Sequence, residues 1–241
     1  MSILALDSAG EILSVALESE SGIWYTEIDA GSRHSELLTE CVDGLCKTAG
    51  LSPIDLKAVV CAKGPGSFTG LRIGYSAAKG LCLALGIPLI AISTLDCLAY
   101  PLSVWPGIVL PAIDAKKGCF FTAIYREGSR ITDYFDATPE VIIKTAEKIS
   151  PFSTEPVILT GSGARMLYSY FTKLIPAQNI KVNPLFRKGI ARELLDLSKS
   201  FIINKANDIN SGPDYIRKSD AEENLGAHLP QRTLTELASG N

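Results

Sequence analysis

The hydrophobic pattern of the first half of the chain changes period in a regular order. Short apolar runs rich in β-branched and aromatic residues predict strands over residues 3–6, 13–17, 22–28, 57–62 and 88–92. Apolar residues at helical spacing predict helices over residues 33–49 and 70–85. The predicted order of elements is therefore β-β-β-α-β-α-β.

The same order begins again after a proline-containing connection over residues 101–106. Strands are predicted over residues 107–113, 119–125, 130–135 and 156–160, and helices over 139–149, from Ala164 and from Phe186. In both halves a strand ends in an aspartate and a turn, at Asp7-Ser8-Ala9-Gly10 and at Asp114-Ala115-Lys116-Lys117-Gly118.

Two copies of this order describe the duplicated α/β fold of actin, the sugar kinases and Hsp70 (the ASKHA fold). Each lobe of that fold is a mixed sheet flanked by helices, and a cleft separates the lobes. We predict an N-terminal lobe over residues 1–105 and a C-terminal lobe over residues 106–241. The second lobe includes a polar tail from Glu222.

Composition narrows the classes of function. The net charge of −3 and the lack of a strongly basic run indicate that any nucleic-acid contact depends on a partner. The six cysteines form no C-x-x-C pair, which is typical of reduced, buried thiols in the cytosol. The first residues do not resemble a signal peptide, and no apolar run is long enough to span a bilayer. We expect a soluble, cytoplasmic protein.

The paired aspartates are the first candidate chemistry. Asp7 and Asp114 would face each other across the cleft, where two carboxylates could hold a divalent cation on the phosphates of ATP or ADP. Ser8 lies in the first turn, and Gly161-Ser162-Gly163 would let the backbone pass close to a nucleoside. The alternative is that each aspartate caps its own turn. Nucleotide binding stays open at this point, and no cofactor is required.

Metal and nucleophilic catalysis have little support. The chain contains only His34 and His228, with no H-E-x-x-H pair, and it has no G-x-S-x-G sequence. We predict no metal site and no catalytic residue, and we expect His34 to begin the first helix.

One glycine-rich stretch, C-A-K-G-P-G-S-F-T-G-L-R-I-G over residues 61–74, resembles a phosphate loop but matches no such pattern. It lacks the Walker lysine, and Gly70 falls one position late for a dinucleotide fingerprint. Ser67 or Thr69 could cap the helix and leave amides for an anion, with help from Arg72. The helix itself is apolar nearly all round, so it is either wholly internal or approached by another helix at its small residues, Gly74, Ala77, Ala78 and Gly80.

The stretch G-P-G-S-F-T-G-L-R-I-G, followed by A-A-K-G-L, resembles the signature of the TsaB (YeaZ) family. Other segments resemble that family in the same order along nearly the whole chain: L-A-L-D-S, R-H-S-E, A-I-D-A-K-K-G, G-S-G and P-D-Y-I-R-K-S-D-A. Lys116 departs from the family, which often has arginine after D-A.

The resemblance implies a non-catalytic subunit and paralogue of the TsaD enzyme. With TsaD and the ATPase TsaE, such a subunit supports transfer of a threonylcarbamoyl group from its adenylate to the adenosine beside the anticodon of tRNA. It would stabilise and activate TsaD, and it would meet tRNA only within the complex.

The resemblance also implies that the helices of the N-terminal lobe pair with TsaD or with a second copy of the chain. The expected interface residues are Arg33, His34, Leu37, Leu38, Cys41, Val42, Leu45, Leu71, Gly74, Tyr75, Ala77, Ala78 and Leu81.

Two enzymatic alternatives remain. The first is an ATP-dependent phosphotransferase that uses Asp7 and Asp114, and the incomplete phosphate loop counts against it. The second is a glycoprotease-type hydrolase, and the missing histidine pair counts against that.

Overall fold

The computed structural model describes residues 1–152, 155–174, 176, 179–185, 188–204 and 206–217. The first sheet contains β1 (Ile3–Asp7), β2 (Ile12–Ser19), β3 (Gly22–Asp29), β4 (Ala58–Gly64) and β5 (Leu89–Ser93). Its strand order is β3-β2-β1-β4-β5. The pairs β1–β2 and β2–β3 are antiparallel, whereas β1–β4 and β4–β5 are parallel.

Three helices belong to the first half of the chain: α1 (His34–Thr48), α2 (Phe68–Leu85) and α3 (Thr94–Ala99). Helices α1 and α2 pack against the face of the sheet that presents Leu4 and Leu6. The alternate residues of β1, Ile3 and Ala5, belong to a separate core on the opposite face. This alternation is what the two-residue period of a strand requires.

The second sheet contains β6 (Ile108–Asp114), β7 (Phe120–Thr122), β8 (Tyr125–Arg126), β9 (Ser129–Arg130), β10 (Phe135–Ala137), β11 (Val157–Thr160) and β12 (Ile180–Val182). Its main path is β10-β7-β6-β11-β12, and the short β8–β9 hairpin pairs with β6. Helices α4 (Pro139–Ile149) and α5 (Ala164–Phe171) contribute buried residues to the core of this lobe.

The two sheets repeat one topology. In each, the first strand lies between an antiparallel neighbour and a parallel neighbour, and the outer strands continue those two directions. The predicted duplicated, actin-like α/β fold is therefore confirmed.

The last helix, α6 (Ala191–Ile203), follows the second sheet in sequence but packs on the first. Leu194 and Leu195 join Ile3 and Ala5 in the core that α1 and α2 leave uncovered. The first sheet therefore has helices on both faces, as a sheet with buried parallel strands needs. The division of the chain at residue 105 stays a prediction.

Several boundaries differ from the predicted ones. Helix α6 begins at Ala191, later than the expected start at Phe186, which lies outside the described residues. Helix α3 and strand β12 were not predicted, and the strand predicted over residues 119–125 is divided between β7 and β8. The tail from Glu222 also lies outside the described residues. None of the helices described here is long and apolar enough to cross a lipid bilayer.

Candidate functional site: the cleft and the outer helix face

Three glycines of the stretch over residues 61–74 lie against the turn between β1 and β2. A Cβ added at Gly66 would approach the Ala9 carbonyl oxygen to 2.5 Å, and one at Gly70 would approach the Ser8 carbonyl oxygen to 2.0 Å. A Cβ at Gly74 would lie 2.4 Å from Ser8 Oγ. These glycines therefore make room for the protein's own backbone.

Hydrogen bonds join the same two segments. Ser8 Oγ donates to the Gly70 carbonyl oxygen at 2.7 Å, and the Ser67 amide donates to the Ala9 carbonyl oxygen at 2.7 Å. Ser67 also caps α2, because its hydroxyl accepts from the Gly70 amide at 3.2 Å. The side chain of Ser8, which was expected at a nucleotide, is thus buried against α2.

Arg72, the expected helper at an anion, lies elsewhere. Its guanidinium is 3.8 Å from the centre of the Phe68 ring, and its Nε donates to Tyr215 Oη at 3.3 Å. It therefore stabilises the first turns of α2 through Phe68 and Tyr215.

A cleft of about 860 Å³, open to solvent, lies between the lobes. One wall is formed by the β1–β2 turn and the first turn of α2, and the other by the β6–β7 turn and Ser162. Asp114 lines this cleft, whereas Asp7 lines a smaller adjoining cavity, which Ser162 also reaches. The structure thus places the two aspartates on neighbouring cavities at the junction of the lobes.

Asp7 is 4 % exposed and is surrounded by hydrogen-bond donors. Its Oδ1 accepts from the Ala9 amide at 3.0 Å. Its Oδ2 accepts from Ser14 Oγ at 3.3 Å and from the Ile190 amide at 3.1 Å. Burial raises the pKa of Asp7, and the hydrogen bonds and the charge of His34 only partly oppose that effect. Asp7 therefore caps its own turn and holds the start of α6 against β1.

Asp114 is engaged by one residue of the following turn. Its Oδ1 accepts from the Lys116 amide and its Oδ2 from Lys116 Nζ, both at 2.8 Å. Partial burial would raise the pKa of Asp114, but these bonds and the charge of Lys116 outweigh it and hold the pKa below the ordinary value.

Gly161 and Gly163 pack against β6. Gly161 has a φ of +89°, and a Cβ added there would lie 2.7 Å from the Ala112 carbonyl oxygen. The Gly163 amide donates to that oxygen at 2.9 Å, and a Cβ at Gly163 would lie 2.8 Å from the ring of Phe120. Both glycines are thus required by the packing of their own lobe, while Ser162 lines the cleft.

The lysine side chains that line the cleft and the adjoining cavity are not free to bind a phosphate. Lys116 and Lys188 line the two cavities, and both already pair with carboxylates, Asp114 and Glu193 respectively. A nucleotide phosphate would have to compete with these acids, so ATP or ADP binding stays a prediction. Among the described residues, no group of three or more His, Cys, Asp or Glu side chains is arranged to hold a metal ion.

Eight of the thirteen expected interface residues are buried in the structure. Periodicity left open whether α2 is internal or approached by a partner, and the structure shows one side of the helix buried in the lobe and the other side partly exposed. Seven of the eight buried residues lie in the interior of the first lobe and contribute little or nothing to its exposed surface: Leu38, Val42, Leu45, Leu71, Gly74, Tyr75 and Ala78. They follow the inward faces of α1 and α2, which cover the sheet.

The outer faces of α1 and α2 carry the other part of the expected set. Leu37 and Cys41 on α1, and Ala77 and Leu81 on α2, are half-buried apolar residues. Ile73, which was not predicted, has the same environment, and residues Gly44, Gly80 and Ala84 of these helices are exposed. A Cβ added at Gly44 or Gly80 would meet no described atom within 4 Å. We call these eight residues the outer helix face.

The two residues that begin α1 differ from each other. Arg33 is exposed at the N-cap, whereas His34 is 7 % exposed and lines the cleft. His34 Nε2 has no hydrogen-bond partner among the described residues. His34 begins the first helix as expected, but it faces the cleft side of the lobe rather than the outer helix face.

These features define a two-lobed actin-like α/β protein with an interlobe cleft and an uncovered, small-residue helix face. Residues 26–225 match the family model of TsaD, tRNA N6-adenosine threonylcarbamoyltransferase. The chain therefore belongs to this family, and the relatives place it with the TsaB (YeaZ) proteins.

The chain is 28% identical over 224 residues to the tRNA threonylcarbamoyladenosine biosynthesis protein TsaB of Bacillus subtilis, which covers 92% of this chain and 96% of that protein. It is 33% identical over 157 residues to the TsaB protein of Escherichia coli, with 62% and 68% covered. Among solved structures, YeaZ from Pseudomonas aeruginosa superposes with a TM-score of 0.70 at 24% identity, covering 89% of this chain and 99% of that one. This last likeness shows the fold.

Proposed function

We propose that this protein is a non-catalytic, cytoplasmic subunit of the assembly that forms threonylcarbamoyladenosine in tRNA. It pairs with the TsaD enzyme through the outer helix face and thereby stabilises and activates TsaD, with the ATPase TsaE as a further partner. Membership of the TsaB group supports a role in this process, since relatives in that group are named for tRNA threonylcarbamoyladenosine biosynthesis.

The observation that carries the proposal is the outer helix face itself. Leu37, Cys41, Ile73, Ala77 and Leu81 are apolar and half-buried, and the neighbouring glycines leave space for the close approach of another helix. A surface of this kind favours helix-to-helix pairing, because small residues let two backbones approach while the larger ones bury apolar area. The same surface would pair two copies of this chain in the absence of TsaD.

The charge of the chain supports an indirect contact with tRNA. The net charge is −3, so the partner would supply most of the cationic surface that a tRNA backbone requires. The hydrogen bonds at Asp7 and Asp114 favour the subunit over the phosphotransferase, because a metal–nucleotide complex would have to compete with donors that both carboxylates already accept from.

The pairing surface is tested with Ala77→Arg. Ala77 is half-buried on the outer helix face, so an arginine there adds a large charged side chain to the surface while leaving the core intact. We expect the variant to fold and to lose co-elution with TsaD. Ser200→Arg is the matched control, because Ser200 is exposed on α6, which covers the opposite face of the first sheet. Continued co-elution of folded Ala77→Arg would show that the surface is wrong.

Ala78→Arg would not answer the same question. Ala78 is fully buried in the core of the first lobe, so arginine there should unfold the lobe whatever its partner.

The process is tested by threonylcarbamoyl transfer to tRNA with TsaD and TsaE, with and without this protein. We expect the transfer rate to fall when this protein is omitted, and the Ala77→Arg variant to behave like the omission. An unchanged rate on omission would contradict the proposed function. Leaving out both TsaD and TsaE tests the phosphotransferase alternative, since ATP turnover by this protein alone would support it.

A further inference from the structure

Residues 206–217 cross the molecule from the first sheet to the second lobe without regular secondary structure, and we call them the strap. The strap begins at β5, which is an edge of the first sheet. The Asp208 amide donates to the Leu89 carbonyl oxygen at 2.7 Å, and Asp208 Oδ2 accepts from the Ala91 amide at 2.9 Å. Asn207 Oδ1 accepts from the Leu89 amide at 3.2 Å. The strap thus covers the open edge of β5.

The middle of the strap lies beside the start of the glycine stretch. The Asp214 amide donates to the Lys63 carbonyl oxygen at 2.8 Å, and Lys63 Nζ lies 3.1 Å from Asp214 Oδ2. Gly64 has a φ of +112°, and a Cβ added there would lie 2.8 Å from the Asp214 carbonyl oxygen. The first glycine of the stretch therefore makes room for the strap.

Three strap contacts fall on α2. Ser211 Oγ is hydrogen-bonded to Tyr75 Oη. The ring of Tyr215 lies 5.0 Å from that of Phe68, centre to centre, and Tyr215 Oη accepts from Arg72. These α2 residues lie on different sides of the helix from Ala77 and Leu81, so the strap holds α2 without covering the outer helix face.

The end of the strap is fixed to the second lobe. Arg217 Nε donates to Asp136 Oδ2 at 2.5 Å, and Arg217 Nη1 donates to the Ala115 carbonyl oxygen at 2.8 Å. Asp136 lies on β10, and Ala115 lines the cleft next to Asp114. The side chains of Arg217 and Asp136 are 20% and 19% exposed, so this ion pair is better shielded from solvent than a typical surface pair.

We propose that the strap positions the pairing helix α2 relative to the second lobe, with Tyr215 and Arg217 as the positioning residues. The inference rests on the proposed pairing function and names what orients its surface. The strap is fixed at both ends, and its Tyr215 ring contacts Phe68. These contacts restrict the movement of the first turns of α2, and Ile73 of the outer helix face lies within those turns. A helix that is already held in place before it meets its partner loses less conformational entropy on pairing.

The test uses the full chain with Arg217→Ala and Tyr215→Ala. Tyr215→Phe keeps the ring beside Phe68 and is the conservative variant. Arg192→Ala removes an exposed pair with Asp196 on α6 and is the matched control. Hydrogen exchange is measured on the free protein, and affinity for TsaD is measured by titration of the same samples.

For Arg217→Ala and Tyr215→Ala we expect the amides of residues 71–76 to exchange about tenfold faster, with β1 and β4 unchanged. Affinity for TsaD should fall about five- to tenfold, a typical coupling between separate sites. Tyr215→Phe and Arg192→Ala should stay close to the unaltered protein in both measurements.

Unchanged exchange over residues 71–76 would overturn the proposal, and so would an equal acceleration across both lobes, which a merely structural role predicts. Faster exchange with unchanged affinity would also overturn it, since α2 would then be held but not positioned for pairing. If the unaltered protein binds no TsaD, the proposed function fails, and the exchange data then decide separately whether the strap orders α2.

Discussion

The substitution Gly74→Ala tests whether the glycines of the stretch serve the β1–β2 turn. Alanine in the interior of a helix normally stabilises relative to glycine by ~0.5–1 kcal/mol. Here the added Cβ would lie 2.4 Å from Ser8 Oγ, well inside any normal contact. Overpacking of that kind costs ~1–3 kcal/mol. We therefore expect a net loss of about 1–2 kcal/mol in the free energy of unfolding, measured by urea denaturation.

Two further variants isolate the cause. Gly80→Ala lies in the same helix with no described atom within 4 Å of the added Cβ, so it should gain ~0.5–1 kcal/mol. Ser8→Ala removes the clashing oxygen and the 2.7 Å bond to Gly70, and it should cost ~0.5–1.5 kcal/mol.

In the Ser8→Ala background the next atom, the Cβ of residue 8, lies 3.7 Å from the added methyl group. Gly74→Ala should then stabilise, which gives a coupling energy between the two substitutions of about 1.5–3 kcal/mol. The measurement is made at a protein concentration where the chain is monomeric, because Gly80 lies on the outer helix face. A gain in stability for Gly74→Ala in the unaltered background would refute the reasoning.

Two other predictions concern the aspartates. Asp7→Asn replaces one accepting oxygen by an NH2 group, so the amide of either Ala9 or Ile190 loses its acceptor. The free energy of unfolding should fall by ~2 kcal/mol, and an unchanged value in urea denaturation would contradict the assigned bonds. At Asp114 the folded pKa lies below the ordinary 3.8, so its contribution to stability is present above 3.8 and is lost as the pH falls through the folded value. Lys116→Ala should raise the pKa of Asp114 in an NMR titration and flatten the acid side of the stability curve. A pKa that does not move would show that Lys116 is not the cause.

The spacing of hydrophobic residues was sufficient to predict the helices and strands that have one clearly buried face. Helix α4 occupies residues Pro139–Ile149 as predicted, because its apolar residues recur every three or four positions and bury Ile142, Ile143 and Ala146. Helix α3 was missed because its six residues continue an apolar segment directly from β5 and are too few to show a period. Strand β12 has three residues and presents the same difficulty.

Features that depend on contacts between distant residues could not be predicted from local pattern. The Ile190 amide donates to Asp7, 183 positions earlier, and this contact fixes the residue that precedes the start of α6 at Ala191. The hydrophobic residues of the strap show no helical or strand period. Its contacts join residues that are 136 and 143 positions apart in sequence, so no local pattern could reveal them. The motif P-D-Y-I-R-K-S-D-A contains both Tyr215 and Arg217, so the family resemblance was the one signal that pointed to this segment.

The orientation of α2 explains why the glycine stretch resembles a phosphate loop. A phosphate loop keeps its glycines small so that backbone amides can approach a ligand. In this protein, Cβ atoms added at Gly64, Gly66, Gly70 and Gly74 would instead meet the strap or the β1–β2 turn at 2.0–2.8 Å. One side of α2 therefore packs against other parts of the same chain. Gly80, where an added Cβ meets nothing described, lies on the outer helix face. Small residues therefore have opposite uses on the two sides of one helix, and only the outer set is available to a partner.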